Sequence, residues 1–67
     1  MNPRERSVLF YVLDALRSSP EQSRELLRLV EEDDASAEFK RRIRQLQAAG
    51  SPDAVKRVSE EVRAEIL

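Results

Sequence analysis

The chain lacks cysteine, histidine and tryptophan, and it has a single glycine among its 67 residues. Without cysteine it can form neither a disulfide framework nor a thiolate metal site. Without histidine it lacks the commonest general base and the commonest metal ligand. One glycine cannot build a glycine-rich phosphate-binding loop. We therefore expect a protein that is not an enzyme and that holds neither a metal nor a cofactor.

Serines and carboxylates are the catalytic residue types that remain. No histidine is available to activate any of the seven serines, and Ser19, Ser36 and Ser51 are better interpreted as helix caps. The carboxylates stand in adjacent runs, at residues 31–34 and 60–61, as is typical of a solvated face. The first run also lacks the spaced oxygen ligands and the glycine of a calcium-binding loop.

Long hydrophobic runs are absent as well. The run Val8–Leu13 has six residues, whereas a membrane-spanning helix needs about 18 or more. No small-residue cleavage site of a signal peptide follows it. These observations predict a cytoplasmic protein with no membrane partner.

Charged and aliphatic side chains dominate what is present. Charged residues make up 37% of the chain, above the ~25% of an average domain. The net charge is only −1, which is not the basic footprint of a dedicated nucleic-acid binder. The two signs are segregated, because residues 31–39 carry five acids and no base while residues 40–57 carry six bases and one acid. This pattern indicates a globular domain with a local basic patch.

The three prolines mark the clearest helix starts. Each follows a residue with a good N-cap side chain, in the pairs Asn2-Pro3, Ser19-Pro20 and Ser51-Pro52. Proline suits the first helical position, where its missing N–H costs no hydrogen bond. Glu5 and Gln22 stand three residues after Asn2 and Ser19, which predicts a capping box at both sites.

Apolar residues at helical spacing fall into four segments. The sequence predicts an all-α single domain over residues 1–67, a small bundle of four short helices at about residues 3–18, 20–32, 35–49 and 52–66. Gly50 is expected to end the third helix in the left-handed C′ position. The side chains expected to face inward are Val8, Leu9, Val12, Leu13 and Leu16; Leu26, Leu27 and Val30; Phe39, Ile43 and Leu46; and Val55, Val58, Val62 and Ile66.

The second and third segments could instead form one continuous helix, giving three helices in a short-long-short arrangement. In such a helix Leu26 and Val30 would point about 200° away from the later apolar residues, at ~100° per residue. The acids at residues 31–34 would suit the start of a helix and oppose the dipole at the end of one. We therefore favour a break near residues 33–36, with Asp33, Asp34 or Ser36 as the cap.

Two aromatic residues of the first segment form the main candidate binding site. When the apolar stripe faces inward, Phe10 and Tyr11 fall on the other side of the helix, near Arg6 and Arg17. Because aromatic residues are enriched in interface cores, these four residues are a predicted protein-binding site. Alternatively, the first helix is surrounded completely and both aromatics belong to the core.

The basic run of the third segment is a second candidate. If its apolar residues face inward, Lys40, Arg41 and Arg44 project outward together and could contact phosphates, as a recognition helix does. The same residues also suit an ordinary solvated face, because no aromatic residue is interleaved for base stacking.

The leading functional hypothesis is a non-enzymatic helical interaction module, a small regulator or inhibitor that binds a larger macromolecule. Chains this short, without a disulfide or a metal, often gain stability by oligomerising, so a homodimer is expected. The alternative is a nucleic-acid-binding transcriptional regulator that uses the basic face of the third helix.

Overall fold

The computed structural model describes residues 1–67 and contains helices and no strand. The helices are α1 (Pro3–Ser18), α2 (Ser23–Leu29), α3 (Ala37–Gln47) and α4 (Pro52–Ile66). A 3₁₀ turn at Pro20–Gln22 leads into α2. The predicted all-α bundle of four short helices is confirmed. No helix is both long enough and apolar enough to span a membrane.

Two of the predicted caps set the starts of the longest helices. At α1 the Asn2 Oδ1 accepts a hydrogen bond from the Glu5 N–H at 2.8 Å, and the Glu5 Oε1 accepts one from the Asn2 N–H at 3.2 Å. This is the predicted capping box. At α4 the Ser51 hydroxyl accepts from the Ala54 N–H at 3.2 Å. Both helices begin at the predicted residues, and their ends at Ser18 and Ile66 also agree with the prediction.

The second helix is shorter than the sequence indicated. In place of a helix over residues 20–32, the 3₁₀ turn is followed by an α-helix of only seven residues. The capping box predicted at Ser19 and Gln22 is wrong, because neither side chain makes a capping hydrogen bond. The helix ends before the acids at residues 31–34, which would otherwise stand at the negative end of its dipole.

Residues 30–36 separate α2 from α3, so the alternative with one long central helix is wrong. Ser36 is the N-cap of α3, and its hydroxyl accepts a hydrogen bond from the Phe39 N–H at 3.3 Å. The third helix is correspondingly shorter than the predicted 35–49. At its other end, Gly50 does not adopt the predicted left-handed conformation, since no residue has a positive φ. The chain leaves α3 through backbone bonds donated by Ala48 and Ala49.

Helix α1 lies at the centre of the bundle and contacts every other helix. It supplies four of the ten buried core residues, which are Leu9, Val12, Leu13, Leu16, Leu27, Phe39, Ile43, Leu46, Val55 and Val62. All ten were predicted to face inward. Five further predicted residues, Val8, Leu26, Val30, Val58 and Ile66, are partly buried at the edge of this core.

Candidate functional site

The predicted aromatic pair is divided by the fold. Phe10 is partly buried and packs against the core, whereas Tyr11 is 70% exposed. Neighbouring residues of a helix point about 100° apart, so one can meet α4 while the other faces solvent. Phe10 therefore belongs to the edge of the core, and Tyr11 is the aromatic residue that faces solvent.

Phe10 and Arg17 are engaged within the chain. The guanidinium carbons of Arg6 and Arg63 lie 5.7 and 5.8 Å from the centre of the Phe10 ring, within cation–π range. The Arg17 Nη2 donates to the Glu60 Oε1 at 3.0 Å, and this hydrogen bond raises the pKa of Arg17. Of the two aromatic residues in the predicted binding site, Tyr11 is thus the one that remains largely exposed to solvent.

An open groove of about 350 Å³ runs between α1 and α2. Its apolar lining residues are Ala15, Leu26 and Leu29, and Leu29 is 81% exposed at the end of α2. Tyr11 precedes Ala15 by four residues, which extends the same face of α1 by one turn. We call Tyr11, Ala15, Leu26 and Leu29 the α1–α2 surface.

Leu29 is the member of this surface that sequence reasoning left out of the site. The signal was present, because residues 26, 27, 29 and 30 are all apolar. A helical segment that short cannot turn all four inward, so one of them had to face solvent. The spacing places Leu29 on the flank of the inward stripe, and Leu29 is the exposed one.

The charges around the groove are unpaired. Glu25 is the only ionisable residue that lines it, and neither Glu25 nor the nearby Arg28 takes part in any of the ion pairs of the structure. The rest of the rim is neutral and polar, formed by Ser18, Ser19 and Gln22. The groove thus has apolar residues at its centre and, at the edge beside Leu29, one charge of each sign, on Glu25 and Arg28.

The basic run of α3 is divided in a similar way. Arg41 and Arg44 are exposed and Lys40 is partly buried, and none of the three forms an ion pair. Arg42 instead points inward, is only 8% exposed, and pairs with Glu38 and Glu65. Sequence reasoning did not place it there, although its position three residues after Phe39 puts it on the inner face.

Acidic residues stand close to the exposed cations of α3. A second groove, of about 110 Å³, is lined by Lys40 and Arg44 on one side and by Glu31, Glu32 and Asp33 on the other. A polyanion approaching these cations would therefore meet carboxylates as well.

A third and wider groove, of about 800 Å³, lies between α2 and the start of α4, with Leu27, Leu46 and Val55 at its base. Its walls carry charges of both signs, and no cluster of acidic residues anywhere in the chain could hold a metal ion. No protein-family profile, no curated protein and no solved structure matches this chain.

Proposed function

We propose that the chain is a non-enzymatic interaction module, a small regulator or inhibitor that acts by binding a larger protein through the α1–α2 surface. The observation that carries the proposal is the 81% exposure of Leu29 at an open groove whose other apolar lining residues are Ala15 and Leu26. Tyr11, which is 70% exposed, lies one helical turn before Ala15 and outside the groove itself. Apolar side chains exposed together at a groove are typical of interaction sites in soluble proteins.

The proposal depends on exposed apolar residues that stand together at a groove, more than on the exposure of any single residue. Leu67 is 80% exposed, yet neither Leu67 nor any residue in the turn before it lines one of the three grooves described above. Single exposed leucines are common and need no function. Leu67 therefore serves as a matched control for Leu29, because the two share a residue type and a degree of exposure.

Photo-crosslinking in the native cells tests the proposal. The photoreactive residue p-benzoylphenylalanine would replace Tyr11, Leu29 or Leu67 in three separate variants. We expect covalent adducts of one defined mass from positions 11 and 29 and none from position 67. Adducts from all three positions alike, or from none, would contradict a binding role for the α1–α2 surface.

The homodimer expected from the short chain is a separate prediction. Light scattering over a dilution series tests it directly. A mass of twice 7.7 kDa at micromolar concentration is the expected result, and a monomer at every concentration would remove the prediction.

Nucleic-acid binding is the second candidate function. It is favoured by Lys40, Arg41 and Arg44, which have no carboxylate within 4.0 Å, unlike the four arginines that form ion pairs. It predicts duplex binding that weakens with salt by about one log–log unit per phosphate contact and is lost on Lys40→Glu with Arg41→Glu. Affinity insensitive to salt, or unchanged in this variant, would exclude it. The acids beside Lys40 and Arg44 make it the second candidate.

A further inference from the structure

We infer that α2 opens and closes as a unit while the other three helices stay folded, and that only the closed form displays the α1–α2 surface. The opening is a property of the fold alone. Its role in regulating partner binding rests on the proposed function, because Leu26 and Leu29 leave Ala15 when α2 opens.

Helix α2 lacks the local contacts that hold the other helices. It is the only α-helix without a side-chain hydrogen bond at its N-cap, since Asn2, Ser36 and Ser51 cap α1, α3 and α4. None of its charged residues takes part in an ion pair, whereas each of the other helices forms ion pairs with residues outside itself. An uncapped helix with few contacts needs less free energy to open than its neighbours do.

The chain is fixed on both sides of α2. Before the helix, Pro20 is buried. After it, the Ser36 N–H and hydroxyl both donate to the Glu5 carboxylate at 2.8 Å. Between these two points Leu27 is the only fully buried side chain. The segment can therefore leave the bundle at the cost of one such side chain, while Pro20 and Ser36 keep the flanking helices in place.

Open space on both sides gives α2 room to move. The groove of about 800 Å³ separates it from the start of α4, and the groove of about 350 Å³ separates it from α1. Leu27 and Leu46 lie together at the base of the larger groove, and each is 1% exposed. Opening of α2 withdraws Leu27 and thus admits solvent to Leu46.

Amide hydrogen exchange of the wild type tests the inference. The relevant amides are those of residues 27–30, the last of which donates to the Leu26 carbonyl at 3.3 Å. We expect them to share one opening equilibrium and to be protected at least about tenfold less than the slowest amides of α1 and α4. Equal protection in all helices would overturn the inference. A stepwise gradient from Val30 back to Leu27 would overturn it too, because it indicates fraying of the helix end.

A pair of glycine variants separates local from global opening. Arg24 of α2 and Arg44 of α3 are both exposed and free of ion pairs. Arg24→Gly should speed the exchange of residues 27–30 about two- to fivefold, the cost of glycine in a helix. Arg44→Gly should speed the slowest amides of α1 by a similar factor and leave residues 27–30 unchanged. If Arg44→Gly speeds residues 27–30 equally, α2 opens only with the whole bundle and the inference is lost.

Thiol labelling gives an independent measurement, because the chain has no cysteine of its own. Leu46→Cys places a thiol beside Leu27. Leu9→Cys is the matched control, since Leu9 is equally buried and lines none of the three grooves. Iodoacetamide should alkylate the Leu46→Cys variant at least about tenfold faster, because the other thiol is reached only by global unfolding. Equal rates would contradict a local opening. If either variant fails to give a helical circular dichroism spectrum, exchange in the wild type decides.

The regulatory role has its own test, in cells. The photoreactive residue at position 29 is combined with Leu27→Ala, which detaches α2, or with Val62→Ala, which truncates the core elsewhere. The adduct yield per recovered chain should fall at least about tenfold with Leu27→Ala and persist with Val62→Ala. An adduct that persists with both would show that the closed form is not required. Local opening without any adduct from the otherwise unchanged chain would remove the proposed function and leave the opening, whereas adducts with uniform exchange would do the reverse.

Discussion

Helix α1 contacts α4 and α2 in different ways. Helix α4, with 15 residues, supplies Val55 and Val62 to the buried core and is joined to α1 by the ion pairs Arg17–Glu60 and Asp14–Arg63. Against α2, a helix of seven residues, no ion pair forms and Leu27 is the only fully buried side chain that α2 supplies. The groove of about 350 Å³ described above lies beside the contact of α1 with α2.

Helix length accounts for this difference. An apolar stripe repeated over 15 residues can be buried along its whole length, because it passes the same neighbour four times. In the two turns of α2, Leu27 is fully buried, Leu26 is partly buried and Leu29 is exposed. Helix α4 therefore buries two valines fully, with Val58 and Ile66 partly buried at the edge of the core, whereas α2 leaves Leu29 exposed beside an open groove.

Truncation of the single buried residue of α2 should have the largest effect. Leu27 is 1% exposed, and Leu27→Ala should lower the free energy of unfolding by about 2–5 kcal/mol. Because no other side chain of α2 is fully buried, we expect this helix to detach while the rest of the bundle stays folded. Residue-resolved amide exchange would show loss of protection confined to α2.

Val62→Ala is the matching change on the α4 side, where Val62 is fully buried. We expect a loss of about 2 kcal/mol from the two methyl groups and the space they leave. Here the remaining contacts should hold α4 in place, so protection would fall evenly over all helices. Equal and uniform loss of protection in both variants would contradict the proposed difference between the two contacts.

A second prediction concerns the loop that follows α2. Glu5 joins the start of α1 to the start of α3, since its carboxylate accepts hydrogen bonds from the Ser36 N–H and the Ser36 hydroxyl, both at 2.8 Å. The bond from the Ser36 backbone is the main cause that lowers the pKa of Glu5 from its usual 4.5. The folded state therefore binds this proton less readily than the unfolded chain does.

The sign of the pH effect follows from that difference. The stabilisation by ionised Glu5 is present above its usual pKa of 4.5 and is lost as the pH falls through the lower pKa of the folded state. The melting temperature of the wild type should thus exceed that of Glu5→Gln at neutral pH, and the gap should narrow in acid. Ser36→Ala, which removes the hydroxyl bond to Glu5 and the α3 cap but keeps the bond from the Ser36 N–H, should cost about 1 kcal/mol at neutral pH. A gap that widens in acid would contradict this account.

Most of the fold could be predicted from local features of the sequence. The caps at Asn2 and Ser51 fixed the starts of α1 and α4 because capping depends on residues within one turn. The ten core residues followed from helical periodicity, which is also local. The length of α2 did not follow, since it depends on how much surface the other helices leave for a segment with four apolar residues.

The candidate surface was only partly predictable for the same reason. Sequence reasoning selected Tyr11 together with Phe10, but only the packing of α4 decides which of two neighbouring aromatics is covered. Spacing placed Leu29 on the flank of the apolar stripe, but no local signal indicated that a groove lies beside it. Arg42 could have been assigned to the inner face from its spacing to Phe39, although a buried arginine is rare enough that its charge argued against it.

The buried Ser59 of α4 allows a test of whether the packing of this helix can be made more stable. Its side chain is 4% exposed and its hydroxyl has no hydrogen-bond partner, which leaves a buried polar group uncompensated. We expect Ser59→Ala to raise the free energy of unfolding by about 1 kcal/mol. Ser7→Ala, at an exposed position inside α1, controls for helix propensity and should change it by at most ~0.5 kcal/mol. An equal gain in both variants would mean that burial of the Ser59 hydroxyl costs nothing.

Gly50, at the joint before α4, should give the smallest change. Its φ is not positive, and a Cβ added there would meet no atom within 4 Å. Gly50→Ala should therefore raise the free energy of unfolding by about 0.4–1 kcal/mol, because alanine restricts the unfolded chain and strains nothing in the folded one. Urea titration measures the change, and the amide spectra of α3 and α4 should stay the same. A loss of stability would mean that the joint uses the left-handed conformation that the sequence favoured, and α4 would then enter its contact with α1 through a turn that only glycine permits.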